Sequence, residues 1–529
     1  MLIRYPAAAV LTAVVFAAFQ PVPALAAPPA DGFATVTRDG VGLRHKRVAV
    51  KVTPPALGEG SASSDFDGDG ADDVAVASLG GIIVHYSSAP WRDYLSAARD
   101  GIGSALAAGD FDGDGYDDLA LGSRDELDPK TKKEAGGLWI VPGSRTGLRI
   151  DKTRHLNQSS AGVPGNSAAD DRFAATLAVG DLNADGNDDL AIGVPGKTVG
   201  KAHDAGAVLV MLGGRNGLNA ATTKRLDQGH AAIPGTPEIG DSFGEALAIG
   251  QFNEDDYADL VIGTPWENDT VPTTGVGMIN VVPGSVEGVY VSDVSSLTAA
   301  SINKLKRGVR TGQVGSAIVL ADVDGADRQE IILGDGQANV VGRDGAGAVY
   351  AVSYPGNGAL TDRLTIITQD TAGVPGKAEM YDVFGGAIAA GDVTGDGYAD
   401  VLVGTPGEDI GVTGDEAGAA TLLRGSAKGL TGTGAQAIDR TSAGSPHKPR
   451  SSEYFGSAVA ILNLDRVPGF DAVVGAPNDD PARGDFCYGT VTRYTGSASG
   501  LGKPSLTSSR SLQVTGMDTS TYGLRFVNP

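Results

Sequence analysis

The sequence predicts an all-β fold, a seven-bladed β-propeller with acidic loops between the first and second strands of its blades. An acidic loop recurs seven times, beginning at Asp65, Asp110, Asp181, Gln251, Asp322, Asp392 and Asn463. After a first interval of 45 residues, the loops follow one another every 70 or 71 residues. The apolar segments around each loop indicate four short strands per repeat, and 78 Gly and 27 Pro are typical of strands joined by many turns. Such a period indicates one supersecondary unit copied around a ring.

Residues 1–26 have the pattern of a secretory signal peptide. Residues 1–4 are short and basic, residues 7–19 are almost entirely apolar, and the small residues 24–27 resemble a cleavage site. A membrane anchor is the alternative, but the apolar core is shorter than the roughly 20 residues that a spanning helix needs. No later segment could span a bilayer, so we expect a secreted, extracellular protein.

The rest of the chain divides into an N-terminal segment, residues 27–56, and the predicted propeller, residues 57–529. Both ends resemble parts of a repeat, which favours a closed ring over a straight solenoid with polar caps. Residues 47–52 could supply an outer strand, and residues 511–516 with Tyr522 and Gly523 could supply an outer strand and the next inner strand. We expect one terminus to complete a blade begun by the other, and the sequence leaves open which.

The repeat that runs from Phe384 to Gly425 shows the predicted strands clearly. The first strand, residues 384–389, leads into the loop at Asp392, and the second, residues 400–404, ends at a Thr-Pro-Gly turn. The third is residues 418–423, and the preceding repeat shows a fourth, weaker strand at residues 364–368. Each repeat therefore predicts one four-stranded blade.

Composition excludes several classes of protein. The single cysteine, Cys487, excludes an internal disulfide framework, so another cross-link is needed in an oxidising compartment. The net charge of −23 makes nucleic acid an improbable partner, because phosphate binding depends on clustered Lys and Arg. We expect a monomer without a membrane span.

The loop that begins at Asp110 shows why the acidic pattern indicates a metal. Carboxylates stand at positions 1, 3, 5 and 9, and Gly115 stands at position 6. Calcium takes six to eight oxygen ligands, which alternate side chains of a Gly-turned loop can supply together with the carbonyl of position 7. An EF-hand would need a bidentate Glu at position 12 and a following helix, whereas position 12 is Leu121 in an apolar, strand-like run. The pattern predicts a calcium loop between two strands.

Four or five of the seven loops are predicted to bind calcium, for a total of about three to five ions. The fifth and seventh loops place Ala326 and Val467 at position 5, so we expect them to hold their shape without metal. Magnesium and metal-free polar turns are the alternatives. The predicted ligands at positions 1, 3, 5, 7 and 9 are Asp65, Asp67, Asp69, Ala71 and Asp73; Asp110, Asp112, Asp114, Tyr116 and Asp118; Asp181, Asn183, Asp185, Asn187 and Asp189; Asp392, Thr394, Asp396, Tyr398 and Asp400; and, more weakly, Asn253, Asp255, Tyr257 and Asp259.

These repeats resemble the FG-GAP repeats of the integrin alpha-subunit propeller. The Phe-Gly element occurs at residues 243–244, 384–385 and 455–456, and the Gly-Ala-Pro element at residues 475–477, with variants at 193–195, 263–265 and 404–406. The resemblance covers roughly residues 57–526. It implies a propeller that binds partners on the face opposite the calcium loops. The integrin leg domains, membrane span and inserted ligand-binding domain have no counterpart in the sequence, so transmembrane signalling is not implied.

The face opposite the loops is formed by the turns between second and third strands and by the connections between blades. Its candidate contact residues are Lys197, His203, Trp266, Glu267, Glu408, Asp409, Asn478 and Arg483. We expect a binding or adhesion module for a protein or a surface glycan. A hydrolase on the same face and a structural envelope protein without a specific ligand are the alternatives. No His-Glu-x-x-His zinc motif occurs in the sequence, so no catalytic residue is predicted.

Overall fold

A computed structural model describes residues 33–49, 64–78, 81–87, 91–97, 102–268, 277–411, 414–442, 448–479, 489–508 and 525–526. The predicted signal peptide, Arg483 and residues 511–516 and 522–523 lie outside the described residues. The regular secondary structure of the described residues is almost entirely β-strand, and none of their helices is long and apolar enough to cross a membrane.

The strands are short and follow one another along the whole described chain. In order they are β1 (Ala34–Arg38), β2 (Val41–Ala49), β3 (Val74–Ser78), β4 (Gly81–His85), β5 (Trp91–Ala97), β6 (Ile102–Gly109), β7 (Asp118–Ser123), β8 (Gly137–Val141), β9 (Arg154–Leu156), β10 (Thr176–Gly180), β11 (Asp189–Val194), β12 (Ala207–Met211), β13 (Lys224–Leu226), β14 (Ala246–Gly250), β15 (Asp259–Thr264), β16 (Met278–Val282), β17 (Gly284–Ser285), β18 (Gly288–Val289), β19 (Ser295–Thr298), β20 (Val309–Arg310), β21 (Ala317–Ala321), β22 (Glu330–Asp335), β23 (Asn339–Val340), β24 (Ala348–Val352), β25 (Leu364–Ile367), β26 (Ala387–Gly391), β27 (Asp400–Thr405), β28 (Ala419–Arg424), β29 (Thr431–Ile438), β30 (Ala458–Leu462), β31 (Asp471–Ala476), β32 (Thr490–Tyr494), β33 (Pro504–Ser508) and β34 (Arg525–Phe526). One α-helix, α1 (Ala299–Asn303), and four 3₁₀ helices (Ile150–Lys152, Ala220–Thr222, Val291–Asp293 and Leu360–Arg363) lie between them.

Seven antiparallel sheets form the seven blades, which confirms the predicted fold. The second to seventh blades have the strand orders β6-β7-β8-β9, β10-β11-β12-β13, β14-β15-β16-β19, β21-β22-β24-β25, β26-β27-β28-β29 and β30-β31-β32-β33. In the sixth blade the observed strands differ from the predicted first, second and third strands by three residues or fewer at either end. The pairing of Gly391 with Asp400 places the acidic loop at one end of each blade.

Both termini complete the first blade, whose order is β34-β3-β4-β5-β2-β1. The C-terminal strand β34 pairs with β3 and also contacts β30 and β6, the inner strands of the two neighbouring blades. The N-terminal strand β2 pairs with β5 on the outer side. The question that the sequence left open therefore has a double answer: the C-terminus closes the inner ring and the N-terminus extends the outer edge.

A buried ion pair attaches the N-terminal strand to the first blade. Asp93 of β5 is buried and receives hydrogen bonds from Arg47 at 2.5 and 2.7 Å and from His45 at 2.9 Å, both on β2. Tyr86 donates a further hydrogen bond to the same carboxylate at 2.7 Å. Burial acts to raise the pKa of Asp93, but the hydrogen bonds from Arg47 and His45 outweigh it and hold this pKa below its usual value.

The Phe-Gly element joins each blade to the one before it. Phe243, which is fully buried, forms a parallel bridge with Gly206 of the preceding blade, and its N–H donates to Ala205 at 2.9 Å. A Cβ on Gly206 would lie 2.3 Å from the Phe243 carbonyl oxygen, and Gly206 has a φ of +92°, so the site requires glycine. The same bridge recurs at Phe173 and Phe384.

Candidate functional site

The first, second, third and sixth acidic loops share one backbone conformation, which the first residue of each of them stabilises. In the first loop, Asp65 Oδ1 accepts from the N–H of Asp69 at 3.1 Å and Oδ2 accepts from that of Gly70 at 2.6 Å. Gly70 has a φ of +85°, which is why position 6 favours glycine. In the fourth loop Asp256 occupies this position without a positive φ, so this loop departs from the shared conformation.

The ninth residue of each loop is buried and anchors the loop to the end of the third strand. Asp189 Oδ2 accepts from the N–H of Leu182 at 3.0 Å, and its Oδ1 accepts from that of Gly213 at 2.8 Å. Asp118 makes the second of these contacts to Gly143 at 2.9 Å. A carboxylate at position 9 therefore holds the loop and its blade in one arrangement.

Carboxylates converge in several loops. In the first loop Asp65, Asp67 and Asp73 place one oxygen each within 4.8 Å of one another, and Asp110, Asp112 and Asp114 do so in the second. Asp69, the fifth residue of the first loop, lies 3.8 Å from the guanidinium of Arg466. In the third loop Asn183 and Asn187 donate to Asp185 at 2.7–3.1 Å. Here amide donors, rather than a third adjacent carboxylate, surround the central acid.

The electrostatics of the loops favour a hard cation. Burial, together with the charges of Asp69 and Asp65, raises the pKa of Asp67 to about 7. Burial also raises the pKa of Asp118 to about 8 and that of Asp189 to about 7. A cation such as Ca²⁺ takes oxygen ligands and would supply the positive charge that these buried carboxylates lack. The donor set therefore fits calcium.

The backbone N–H of each predicted position 7 residue donates to the carboxylate at position 5. Five loops share this contact, at distances of 2.8–3.1 Å: Ala71 to Asp69, Tyr116 to Asp114, Asn187 to Asp185, Tyr257 to Asp255 and Tyr398 to Asp396. This contact places the backbone of position 7 beside the carboxylate of position 5.

Protein donors lie close to the carboxylates of the fourth, sixth and seventh loops. Asn253 donates to Asp255 at 2.9 Å and to Asp259 at 3.0 Å. Arg424 lies 3.4 Å from Asp400, which weakens the case for metal in the sixth loop. In the seventh loop, the Arg493 guanidinium contacts both Asp465 and Asp471 and supplies the positive charge that a metal ion would otherwise supply.

The fifth loop contains a carboxylate group that was not predicted from the sequence. Asp322, Asp324 and Glu330 place one oxygen each within 4.8 Å of one another, although position 5 is Ala326. Burial raises the pKa of Glu330 to about 7. The sequence contained a signal for this group, because Glu330 replaces the usual Asp at position 9 and its longer side chain reaches toward Asp322 and Asp324.

A closed ring of backbone hydrogen bonds joins the seven loops. In each case the N–H at position 8 of one loop donates to the carbonyl oxygen at position 1 of the preceding loop. The donors and acceptors, 2.7–3.4 Å apart, are Asp117 and Asp65, Asp188 and Asp110, Ala258 and Asp181, Gln329 and Gln251, Ala399 and Asp322, Phe470 and Asp392, and Asp72 and Asn463. The loops therefore form one connected rim.

The opposite end of the blades carries the predicted contact residues, of which two require correction. Lys197 and Glu267 are buried rather than exposed, because their side chains turn inward to Asp171 and Gln228. His203 and Asp409 are exposed, Trp266, Glu408 and Asn478 are partly exposed, and Arg483 lies outside the described residues.

Large exposed apolar side chains lie at this end of the fourth, fifth and sixth blades. Ile239 is 74% exposed, Val341 72%, Met380 56% and Tyr381 62%. The backbone N–H next to Ile239 donates to His203, and that of Tyr381 donates to Asp344 beside the Val341 turn. These residues were not predicted from the sequence, because their exposure depends on the packing of the loops and not on a periodic pattern.

Comparison with known families identifies the repeat unit. The FG-GAP repeat family matches residues 102–141, 173–211 and 384–423, which contain the first three strands of the second, third and sixth blades. The chain carries FG-GAP repeats. Together with the seven blades, these repeats fit a propeller that resembles that of the integrin alpha subunit.

Curated relatives carry similar repeats in longer chains. The FG-GAP propeller is 28% identical over 188 residues to phosphatidylinositol-glycan-specific phospholipase D of Rattus norvegicus, which covers 36% of this chain and 21% of the relative. It is 28% identical over 255 residues to integrin alpha-V of Gallus gallus, with 47% and 22% covered. Integrin alpha-PS2 of Drosophila melanogaster is 28% identical over 274 residues, with 49% and 17% covered. The matches span about a fifth of each relative.

A rhamnogalacturonan lyase structure from Bacillus licheniformis aligns with 89% of the FG-GAP propeller and 88% of its own chain, at 12% identity. Its TM-score is 0.31, too low to support a conclusion about fold or activity.

Proposed function

We propose that this FG-GAP propeller is a secreted, calcium-binding module that attaches to an extracellular protein or a surface glycan through the face opposite its acidic loops. The observation that carries the proposal is the exposure of Ile239, Val341, Met380 and Tyr381 at that end of three consecutive blades. Exposed apolar surface on a soluble protein marks interaction sites when it is contiguous, and aromatic side chains are enriched in such sites.

Calcium has a structural role in this proposal. The loops lie at the end of the blades opposite Tyr381, so ions bound there would stabilise the ring without contacting the ligand. Extracellular calcium would act as the cross-link that a chain with one cysteine lacks, because an ion that binds only the folded state stabilises it.

The test uses a surface variant with three changes, Ile239→Ser, Val341→Ser and Tyr381→Ser. Val286→Ser is the matched control, since Val286 is 73% exposed on the β17–β18 hairpin. Both proteins are applied to a glycan array and to a panel of immobilised extracellular matrix proteins, and their melting temperatures are compared. We expect the triple variant to lose at least tenfold in affinity for the ligand found, with an unchanged melting temperature, while the control binds normally.

Equal binding by the triple variant and the wild type would refute the assignment of this face. The relationship to a phospholipase makes a hydrolase the second candidate, and a screen of esterase, phosphatase and glycosidase substrates tests it. Reproducible turnover that the same triple variant abolishes would replace the binding proposal.

A further inference from the structure

A buried polar position recurs between the blades, away from the acidic loops. Three residues form this position. One follows the fourth strand of a blade, the second is an acid two residues before the Phe-Gly element of the next blade, and the third follows the second strand of that next blade. In the third repeat these residues are Gln158, Asp171 and Lys197, all buried. In the fourth repeat they are Gln228, Asp241 and Glu267.

The third repeat shows that this position accommodates a cation. The Lys197 ammonium donates to Asp171 Oδ2 at 2.8 Å, to Gln158 Oε1 at 3.3 Å and to the carbonyl oxygen of Asn166 at 2.5 Å. One positive charge thus meets one carboxylate and two neutral oxygens inside the protein. A buried carboxylate needs such a partner.

The seventh repeat supplies a cation from a different residue. Arg440 stands where the third, fourth and sixth repeats have Gln, and its guanidinium donates to Asp479 Oδ2 at 2.7 Å and to Thr490. Glu453 is buried nearby. Two repeats therefore place a positive side chain at this position: the third repeat supplies it from the lysine position, and the seventh supplies it from the Gln position.

The fourth repeat has the opposite charge at this position. Glu267 replaces the lysine, and Glu238, Asp241 and Glu267 place one oxygen each within 4.8 Å of one another. Asp241 is 1% exposed and Gln228 is 5% exposed. Asp241 Oδ1 and Gln228 Oε1 are buried atoms to which no described residue donates a hydrogen bond, whereas the Gln228 amide nitrogen donates to Glu267 Oε2. Buried acceptors of this kind require a partner.

We propose that Glu238, Asp241, Glu267 and Gln228 bind a hard divalent cation, which takes the place of the Lys197 ammonium of the third repeat. Carboxylate and carboxamide oxygens are the ligands that calcium and magnesium prefer, and they provide no soft donor for copper or zinc. Glu238 is partly exposed, so an ion can reach the buried oxygens from the surface.

The sixth repeat contains a similar replacement. Glu408 stands at the lysine position, Gln369 donates to it at 2.6 Å, and Gln369 Oε1 is a buried acceptor without a donor among the described residues. The repetition in two blades indicates that Glu267 is not an isolated substitution.

This site is independent of the loop sites, and it adjoins the proposed ligand face at Ile239, which follows Glu238 in the chain. It lies beside the connection that precedes β14, whereas the acidic loop follows β14, so the two are at opposite ends of that strand. Removal of loop carboxylates would leave the Glu267 site intact. Failure of one assignment therefore leaves the other standing.

The test compares Glu267→Lys, which recreates the arrangement of the third repeat, with Glu287→Lys, the same charge change at an exposed position. Terbium is the probe, and excitation at 295 nm selects transfer from tryptophan. Trp266 is adjacent to Glu267 and is one of three tryptophans. We expect Glu267→Lys to lose the terbium emission component that Trp266→Phe also removes, and Glu287→Lys to retain it. Equilibrium dialysis with calcium should give one fewer bound ion for Glu267→Lys alone.

Stability provides a second measurement. In chelator, the ammonium group that Glu267→Lys introduces supplies the missing positive charge, so this variant should melt at a higher temperature than the wild type. If that variant does not fold, Glu267→Gln is measured in its place and should show the same loss of emission and of one ion. Unchanged calcium stoichiometry and terbium emission in the folded variant would overturn the proposal, and would indicate that a shared proton, instead of a metal ion, neutralises these carboxylates.

Discussion

Asp72 is expected to hold the ring closed at the junction between the seventh and first loops. Its Oδ2 accepts from the N–H of Asn463 at 2.5 Å and its Oδ1 accepts from that of Ser64 at 3.0 Å. Asp72 is 1% exposed, so Asp72→Ala would leave both N–H groups without their carboxylate partner in a buried place. A hydrogen bond to a charged group contributes about 1.5–3 kcal/mol, so the two bonds together predict a loss of about 3–6 kcal/mol.

Asp188 provides the matched control at a junction inside the chain. It occupies the same loop position, and its Oδ2 accepts one hydrogen bond, from the N–H of Asp110 at 2.9 Å. Burial raises the pKa of Asp188 to about 6, so measurements at pH 8 keep it ionised. Loss of that single bond in Asp188→Ala should cost about 1.5–3 kcal/mol, half the effect at Asp72.

The assay is urea unfolding of residues 27–529 at pH 8 with millimolar calcium, read by circular dichroism. A lower midpoint at constant slope reports lost stability of the folded state. If Asp72→Ala costs no more than Asp188→Ala, then the hydrogen bonds at Asn463 do not close the ring, and the pairing of β34 with β3 must carry the closure alone.

Three further outcomes are expected. In millimolar calcium, the double variant Asp112→Ala, Asp185→Ala should have a melting temperature several degrees below that of the wild type, and in excess chelator the two melting temperatures should be equal. Differential scanning calorimetry measures both, and equal melting temperatures in calcium would argue against metal sites in these loops. Gly206→Ala should cost about 1–3 kcal/mol more in urea unfolding than Gly200→Ala, because both have positive φ but only Gly206 has a carbonyl oxygen in the space of a Cβ. Asp93→Asn should cost about 3 kcal/mol at pH 7. Because the pKa of Asp93 is lowered in the folded state, its contribution to stability is present above the unfolded pKa of about 3.9 and is lost as pH falls through the folded pKa. The difference in unfolding free energy between Asp93→Asn and the wild type should therefore narrow below about pH 4. A difference that does not change with pH would contradict this.

The contacts between loops were invisible in the sequence. Position 8 is Asp72, Asp117, Asp188, Ala258, Gln329, Ala399 and Phe470 in the seven loops, a set with no common side-chain chemistry. The shared feature is the backbone N–H, which every one of these residues carries and which no composition reveals. Likewise, Lys197 and Glu267 occupy turns, where exposure is the usual state, and only the packing of adjacent blades buries them.

The sequence by itself determined the repeat, the number of blades, the strands of each blade and the positions of the acidic loops. These properties are local, because alternation of apolar residues, Gly at a left-handed position and Asp in a tight turn act within a few residues of one another. Only the tertiary structure decided how the two termini share the first blade, how the loops join into one rim and which charges meet inside. These properties depend on residues far apart in the chain, such as Asp72 and Asn463, which meet only when the ring closes.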